Sequence, residues 1–136
     1  MKKLFLLSIC FISFVVFAQK VEHISVQKKY KESDYFPSIE GCFSDKIPIE
    51  KLGSTNGIVT PLGWKGISYK LGYSHGSTYK TIDFQTNTIP DSVVVEISNS
   101  CLGEQIYFTD IRARDPHNII RTLVPMSLVP ILKKDE

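Results

Sequence analysis

Ile67-Ser68-Tyr69-Lys70-Leu71-Gly72-Tyr73, then Ser74-His75-Gly76-Ser77, then Thr78-Tyr79-Lys80-Thr81-Ile82-Asp83-Phe84 is the stretch that decides the fold class. Ile67, Tyr69, Leu71 and Tyr73 recur at every second position, and Ile82 and Phe84 keep the same period beyond the turn. A period of two sends one row of side chains to a core and the other to water, so the stretch reads as two half-buried strands.

Working outward, Ser92 to Ser98 carries Val93, Val94, Val95 and Ile97, the apolar density of a central strand. Ile106 to Arg112 and Ile119 to Val124 read as further strands, and Val21 to Gln27 as an early one. The tail from Pro125 to Glu136 reads as a last strand, which Pro125 and Pro130 would confine to an edge because proline donates no ladder hydrogen bond. Asn56-Gly57, Pro61 to Gly63, Ser74 to Gly76, Pro90-Asp91 and Asp115-Pro116 supply turns between them. Short strands punctuated in this way predict an all-β, antiparallel β-sandwich. Lys28 to Asp34, charged on most sides, reads as a solvated connector.

The N-terminus has a different character. Met1-Lys2-Lys3 precedes an almost unbroken apolar run from Leu4 to Phe17, and Ala18 follows, with Val16 two positions before it. Two lysines, a short apolar core and a small residue at its end describe a cleaved signal peptide, and the run is shorter than the ~20 residues a spanning helix needs. The expected organisation is a signal peptide over 1–18, an N-terminal strand and connector over 19–36, and the sandwich over 37–136. The destination is the periplasm or cell surface, with no membrane span after cleavage.

Loss of the signal also removes Lys2 and Lys3, and with them the net charge of +2. A neutral chain offers no basic footprint for nucleic acid. Of the three cysteines, Cys10 falls within the signal, leaving Cys42 and Cys101. In an oxidising compartment such a pair is expected to form one disulfide, worth about 4 kcal/mol on the loop-entropy model.

Gly72-Tyr73-Ser74-His75-Gly76 matches the G-x-S-x-G pattern of a nucleophile elbow, and Asp110 and His117 could complete a Ser-acid-His order. The elbow requires a strand, a sharp turn and then a helix, whereas the residues after Gly76 are β-like; a hairpin loop is the expected reading and catalysis by Ser74 the disfavoured one. His23, His75 and His117 lack metal-ligand spacing, so neither metal nor cofactor is expected. Asp110, Arg112 and Arg114 alternate along one strand face as a charged strip able to meet an anion or a partner. Trp64, with Gly63 before it and Gly66 shortly after, suggests an exposed aromatic side chain, and tyrosines gather nearby. The candidate binding surface is therefore Trp64, Tyr73, His75, Arg112 and Arg114.

The segments Ile39-Glu40-Gly41-Cys42-Phe43-Ser44-Asp45, Ile47-Pro48-Ile49 and Gly53-Ser54-Thr55-Asn56-Gly57-Ile58-Val59-Thr60 occur in an ordered series. With Asp91 to Ile97 and Asn118 to Pro125, this series resembles the carboxypeptidase regulatory-like, transthyretin-like β-sandwich of exported bacterial proteins. Pro61 stands where that family usually has Asp after the Thr. The resemblance implies a transthyretin-like or immunoglobulin-like sandwich, no active site, and an accessory or partner-binding role. Expectation thus centres on a non-catalytic module that binds a protein or cell-envelope partner. The alternatives are a periplasmic immunity or inhibitor protein and, least favoured, a serine hydrolase.

Overall fold

A computed structural model describes residues 30–40, 42 and 45–133. The expected signal peptide, Cys10, His23 and the Val21 to Gln27 strand lie outside the described residues. One compact unit begins at Lys31 and opens with a short 3-10 turn, Glu32–Tyr35.

The chain is mostly β, with predominantly antiparallel pairing. Its strands are β1 (Ser38–Ile39), β2 (Lys46–Pro48), β3 (Ile58–Val59), β4 (Gly66–His75), β5 (Thr78–Phe84), β6 (Ile106–Arg114), β7 (Ile120–Thr122) and β8 (Met126–Ile131). Among the described residues two helices interrupt them, α1 (Ile49–Leu52) and α2 (Asp91–Ser100). β1 and β3 form a small ribbon; the larger sheet runs β2-β8-β6-β4-β5, and β7 pairs with the far end of β6.

The β4–β5 hairpin follows its alternation. Tyr69 faces Phe84, Leu71 faces Ile82 and Tyr73 faces Lys80, down to His75 opposite Thr78. The two-residue turn Gly76-Ser77 puts its glycine at φ 63°, the glycine-first geometry whose twist suits a hairpin. Tyr69, Leu71 and Tyr73 are buried; Tyr69 stacks on Phe84 at 5.0 Å and its hydroxyl donates to the Thr88 carbonyl at 2.7 Å.

On β6, Ile106, Phe108, Ile111 and Ala113 are all fully buried although their numbers change parity. An irregularity accounts for this. Lys70 pairs with Thr109 and Ser68 with Arg112, so β6 holds one residue more than β4 between these rungs. Asp110, at φ 49°, occupies the extra position. Such a bulge resets which side of the strand faces inward.

Two expectations are corrected. The expected central strand over Ser92 to Ser98, which also served as the central strand of the family resemblance, is the helix α2. β-branched residues lose only fractions of a kcal/mol each in a helix, so packing decides. Here Val93 and Ile97, four positions apart, are the buried residues, whereas Val95 is 57% exposed. Pro90 starts the helix by accepting bonds from Val93 and Val94 at 3.0 and 3.1 Å. The helix packs against β4 and α1.

The tail strand, expected at an edge, is interior: β8 lies between β2 and β6. Its two neighbours share it lengthwise. β6 pairs with Met126 to Leu128, and β2 pairs in parallel with Val129 to Ile131. Pro130 therefore lies past the β6 ladder, where no N–H is demanded of it, and its carbonyl accepts from the Gly103 N–H at 2.8 Å.

Candidate functional site

The five residues of the expected binding surface separate into two groups at opposite ends of β4, about 30 Å apart at strand rise.

At the hairpin end, Tyr73 and His75 meet α2. Glu96 receives Lys80 Nζ at 2.8 and 3.1 Å, and His75 Nδ1 lies 3.0 Å from the same carboxylate. The Lys80 ammonium stands 6.0 Å from the centroid of the Tyr73 ring. The hydrogen bond from Lys80 holds the Glu96 carboxyl below its ordinary range, and the reciprocal bond raises Lys80. Tyr73 is entirely buried, contrary to its expected place on a binding surface, and its hydroxyl has no partner at hydrogen-bond geometry among the described residues. Burial, and then the negative charge of Glu96, push that phenol up. These contacts fasten hairpin to helix. Sequence reasoning missed Lys80 and Glu96 because reading Ser92 to Ser98 as a strand gave Glu96 no reason to face the hairpin.

At the other end, Trp64 and Arg114 line one shallow, open groove of about 360 Å³, together with Leu62, Gly63, Lys65, Ile67, Asp115 and Pro116. A tight turn builds one wall: Gly63 N–H donates to the Thr60 carbonyl at 2.9 Å and Trp64 N–H to Thr60 Oγ1 at 3.1 Å. Trp64 is only 3% exposed, which corrects its expected exposure; its ring meets Tyr35 edge to face at 5.7 Å. Leu62, in the same turn, is the exposed apolar residue at 45%.

The other wall is the β6–β7 connection. Asp115 is buried, and its Oδ1 accepts the N–H groups of His117 and Ile119, both at 2.9 Å, while Oδ2 accepts from Arg121 Nε at 3.0 Å. Burial alone would raise this carboxyl, but the Ile119 N–H, Arg121 and the His117 N–H together hold it below the usual range. Arg114 bonds to the Asn118 side-chain oxygen at 2.8 Å and is exposed. Arg112 and Arg114 project from the outward face of β6, as their alternation implied.

Ser74, Asp110 and His117 are not brought together. Ser74 lies in β4 opposite Tyr79, near the hairpin turn, and His117 lies past the far end of β6. Nine residues of β6 span about 25 Å between those ends. Asp110 is instead 3.4 Å from Lys70 Nζ.

The structure does not join Cys42 to Cys101 in the expected disulfide; both stand as free thiols. Cys42 closes a turn on the Ile39 carbonyl, whereas Cys101 ends α2 with its Sγ turned to the Ile97 carbonyl at 3.5 Å. The helical form of Asp91–Ser100 directs Cys101 to its own helix end. Among the described residues, no group of three His, Cys, Asp or Glu side chains could hold a metal ion, and no helix is long and apolar enough to cross a membrane.

No protein-family model matches the chain, and no curated relative matches its sequence.

Proposed function

We propose that the protein is an exported, non-catalytic binding module of the cell envelope, and that it meets a protein partner through the groove between the Thr60–Trp64 turn and the β6–β7 connection. The observation that carries this reading is the placement of exposed Leu62 beside Lys65 and Arg114 on a groove walled by two hydrogen-bonded turns. Loops held on a rigid sheet are where binding residues gather. The Met1 to Ala18 pattern supports export, and the resemblance of the segments over 39–60 and 118–125 to carboxypeptidase regulatory-like sandwiches supports an accessory role.

A photo-crosslinking residue at position 62, in protein expressed by the producing cell, tests the proposal. A single stoichiometric adduct in the envelope fraction is expected, with none from position 79, which is exposed near the hairpin turn. Protein confined to the cytosol, or an adduct pattern identical at both positions, would overturn it. If the captured partner were a toxin or enzyme silenced by binding, the module would be an immunity protein.

A further inference from the structure

We infer that the groove takes an acidic, extended peptide segment of the protein partner, with an apolar side chain against Leu62 and Ile67 and carboxylates against Lys65, Arg112 and Arg114. This inference rests on the binding reading above and specifies what occupies the site.

Charge is the first argument. Lys65 and Arg114 line the groove and Arg112 stands two positions from Arg114 on the same outward face. Lys65 and Arg112 have no carboxylate partner among the described residues, and Arg114 bonds only to Asn118 oxygens. The single carboxylate in the lining, Asp115, has both oxygens committed to two backbone N–H groups and Arg121. The groove therefore offers positive charge with no free negative charge to answer it. Arginine forks match carboxylates with two parallel hydrogen bonds, and complementary charge speeds encounter and fixes register.

Shape is the second. A volume of about 360 Å³ is at the small end of ligand sites, and its open form suits a side chain with a length of backbone rather than an enclosed cofactor. Leu62 and Ile67 add apolar surface to the same lining as Lys65 and Arg114. A nucleic-acid backbone would call for a longer basic stripe than these three residues.

The probe is an acetylated, amidated pentapeptide with a central leucine between two pairs of glutamates, compared with its glutamine and lysine counterparts by NMR titration of the protein. The glutamate peptide is expected to shift the amides of residues 62–67 and 112–115, and the other two peptides are not. Lys65→Glu combined with Arg114→Glu should weaken binding roughly tenfold or more, and added salt should weaken it in the wild type. Lys65→Glu alone, which leaves the Arg114–Asn118 contact intact, should give a smaller loss in the same direction. Equal shifts from all three peptides, shifts confined to other residues, or equal competition by a DNA duplex would overturn the inference. An adduct at position 62 that persists in the double variant at high salt would leave the binding reading standing without the acidic occupant. Absence of both adduct and peptide shifts would remove both.

Discussion

Asp110 Oδ2 lies 3.4 Å from Lys70 Nζ, across the bulge that turns Ile111 and Ala113 to the same side as Ile106 and Phe108. The ion pair is solvent-exposed on the Asp110 side and contributes little, whereas the backbone position at φ 49° is demanding. Asp tolerates the left-handed region; a β-branched residue does not. Asp110→Gly should stay within about 0.5 kcal/mol of wild type, and Asp110→Val should lose about 1–2 kcal/mol, read as urea midpoints. Equal midpoints for the two variants would mean that the left-handed bulge does not form.

The Glu96 clasp gives stability a defined dependence on pH. Because its carboxyl is held below the ordinary value of 4.5, its contribution is complete above that value and is lost as pH falls through the depressed one. Glu96→Gln should lower the urea midpoint at pH 7, converge with wild type once the pH has fallen below the depressed carboxyl, and speed hydrogen exchange at the hairpin turn. A constant offset across that range would show that the charge is not what holds hairpin to helix.

Burial separates the two cysteines in reactivity. Cys101 is 1% exposed and its thiol is pushed up by burial, while Cys42 is only partly buried. Only thiolates react readily, so native protein should take one equivalent of iodoacetamide quickly, at Cys42, and the second only on unfolding. Mass spectrometry of the labelled peptides gives the order. No labelling in denaturant without reductant would establish that a disulfide joins them.

What the sequence disclosed follows from the range over which its signals act. The hairpin from Ile67 to Phe84 was legible because alternation and a glycine turn are local, and the outward faces of Arg112 and Arg114 followed from the same period. The change of parity at Asp110 was not, since one inserted residue leaves no mark in composition. Val93-Val94-Val95 carries strand propensity, yet α2 buries Val93 and Ile97 against the sheet, and tertiary packing outweighs a preference of fractions of a kcal/mol. Pro130 pointed to an edge, but a strand paired by different neighbours along its two halves can keep a proline inside a sheet. Of the expected binding surface, Arg114 and Trp64 share the groove, whereas Tyr73 is spent on the core, because an aromatic cluster read from sequence does not say which rings are covered.

The buried carboxylate behind the groove should be sensitive to both charge and shape. Asp115→Asn keeps an oxygen for the His117 and Ile119 N–H groups but sets an amide against Arg121; Asp115→Ala removes every acceptor. Both should lower the urea midpoint, Ala more than Asn, and both should flatten the loss of stability on acidification that the depressed carboxyl imposes on the wild type. An alanine variant as stable as wild type at pH 7 would remove Asp115 as the organiser of the β6–β7 connection.

Gly57 and Gly76 provide a matched comparison between conformation and space. Both have left-handed backbones, at φ 62° and 63°. A methyl group at Gly76 would meet nothing within 4 Å, whereas at Gly57 it would collide with the Asn87 carbonyl oxygen, which already accepts the Ile58 N–H at 2.9 Å. That carbonyl is fixed, since the Asn87 side chain also bonds back to the Asn56 carbonyl at 2.9 Å. Gly76→Ala should therefore cost only the left-handed penalty, about 1–2 kcal/mol, while Gly57→Ala should cost that and the displacement of backbone besides. Chemical denaturation of the two variants side by side isolates the second term. Equal losses would mean that the Asn87 carbonyl does not press on the Ser54–Gly57 turn, which the Gly57 N–H closes on the Ser54 carbonyl at 3.0 Å.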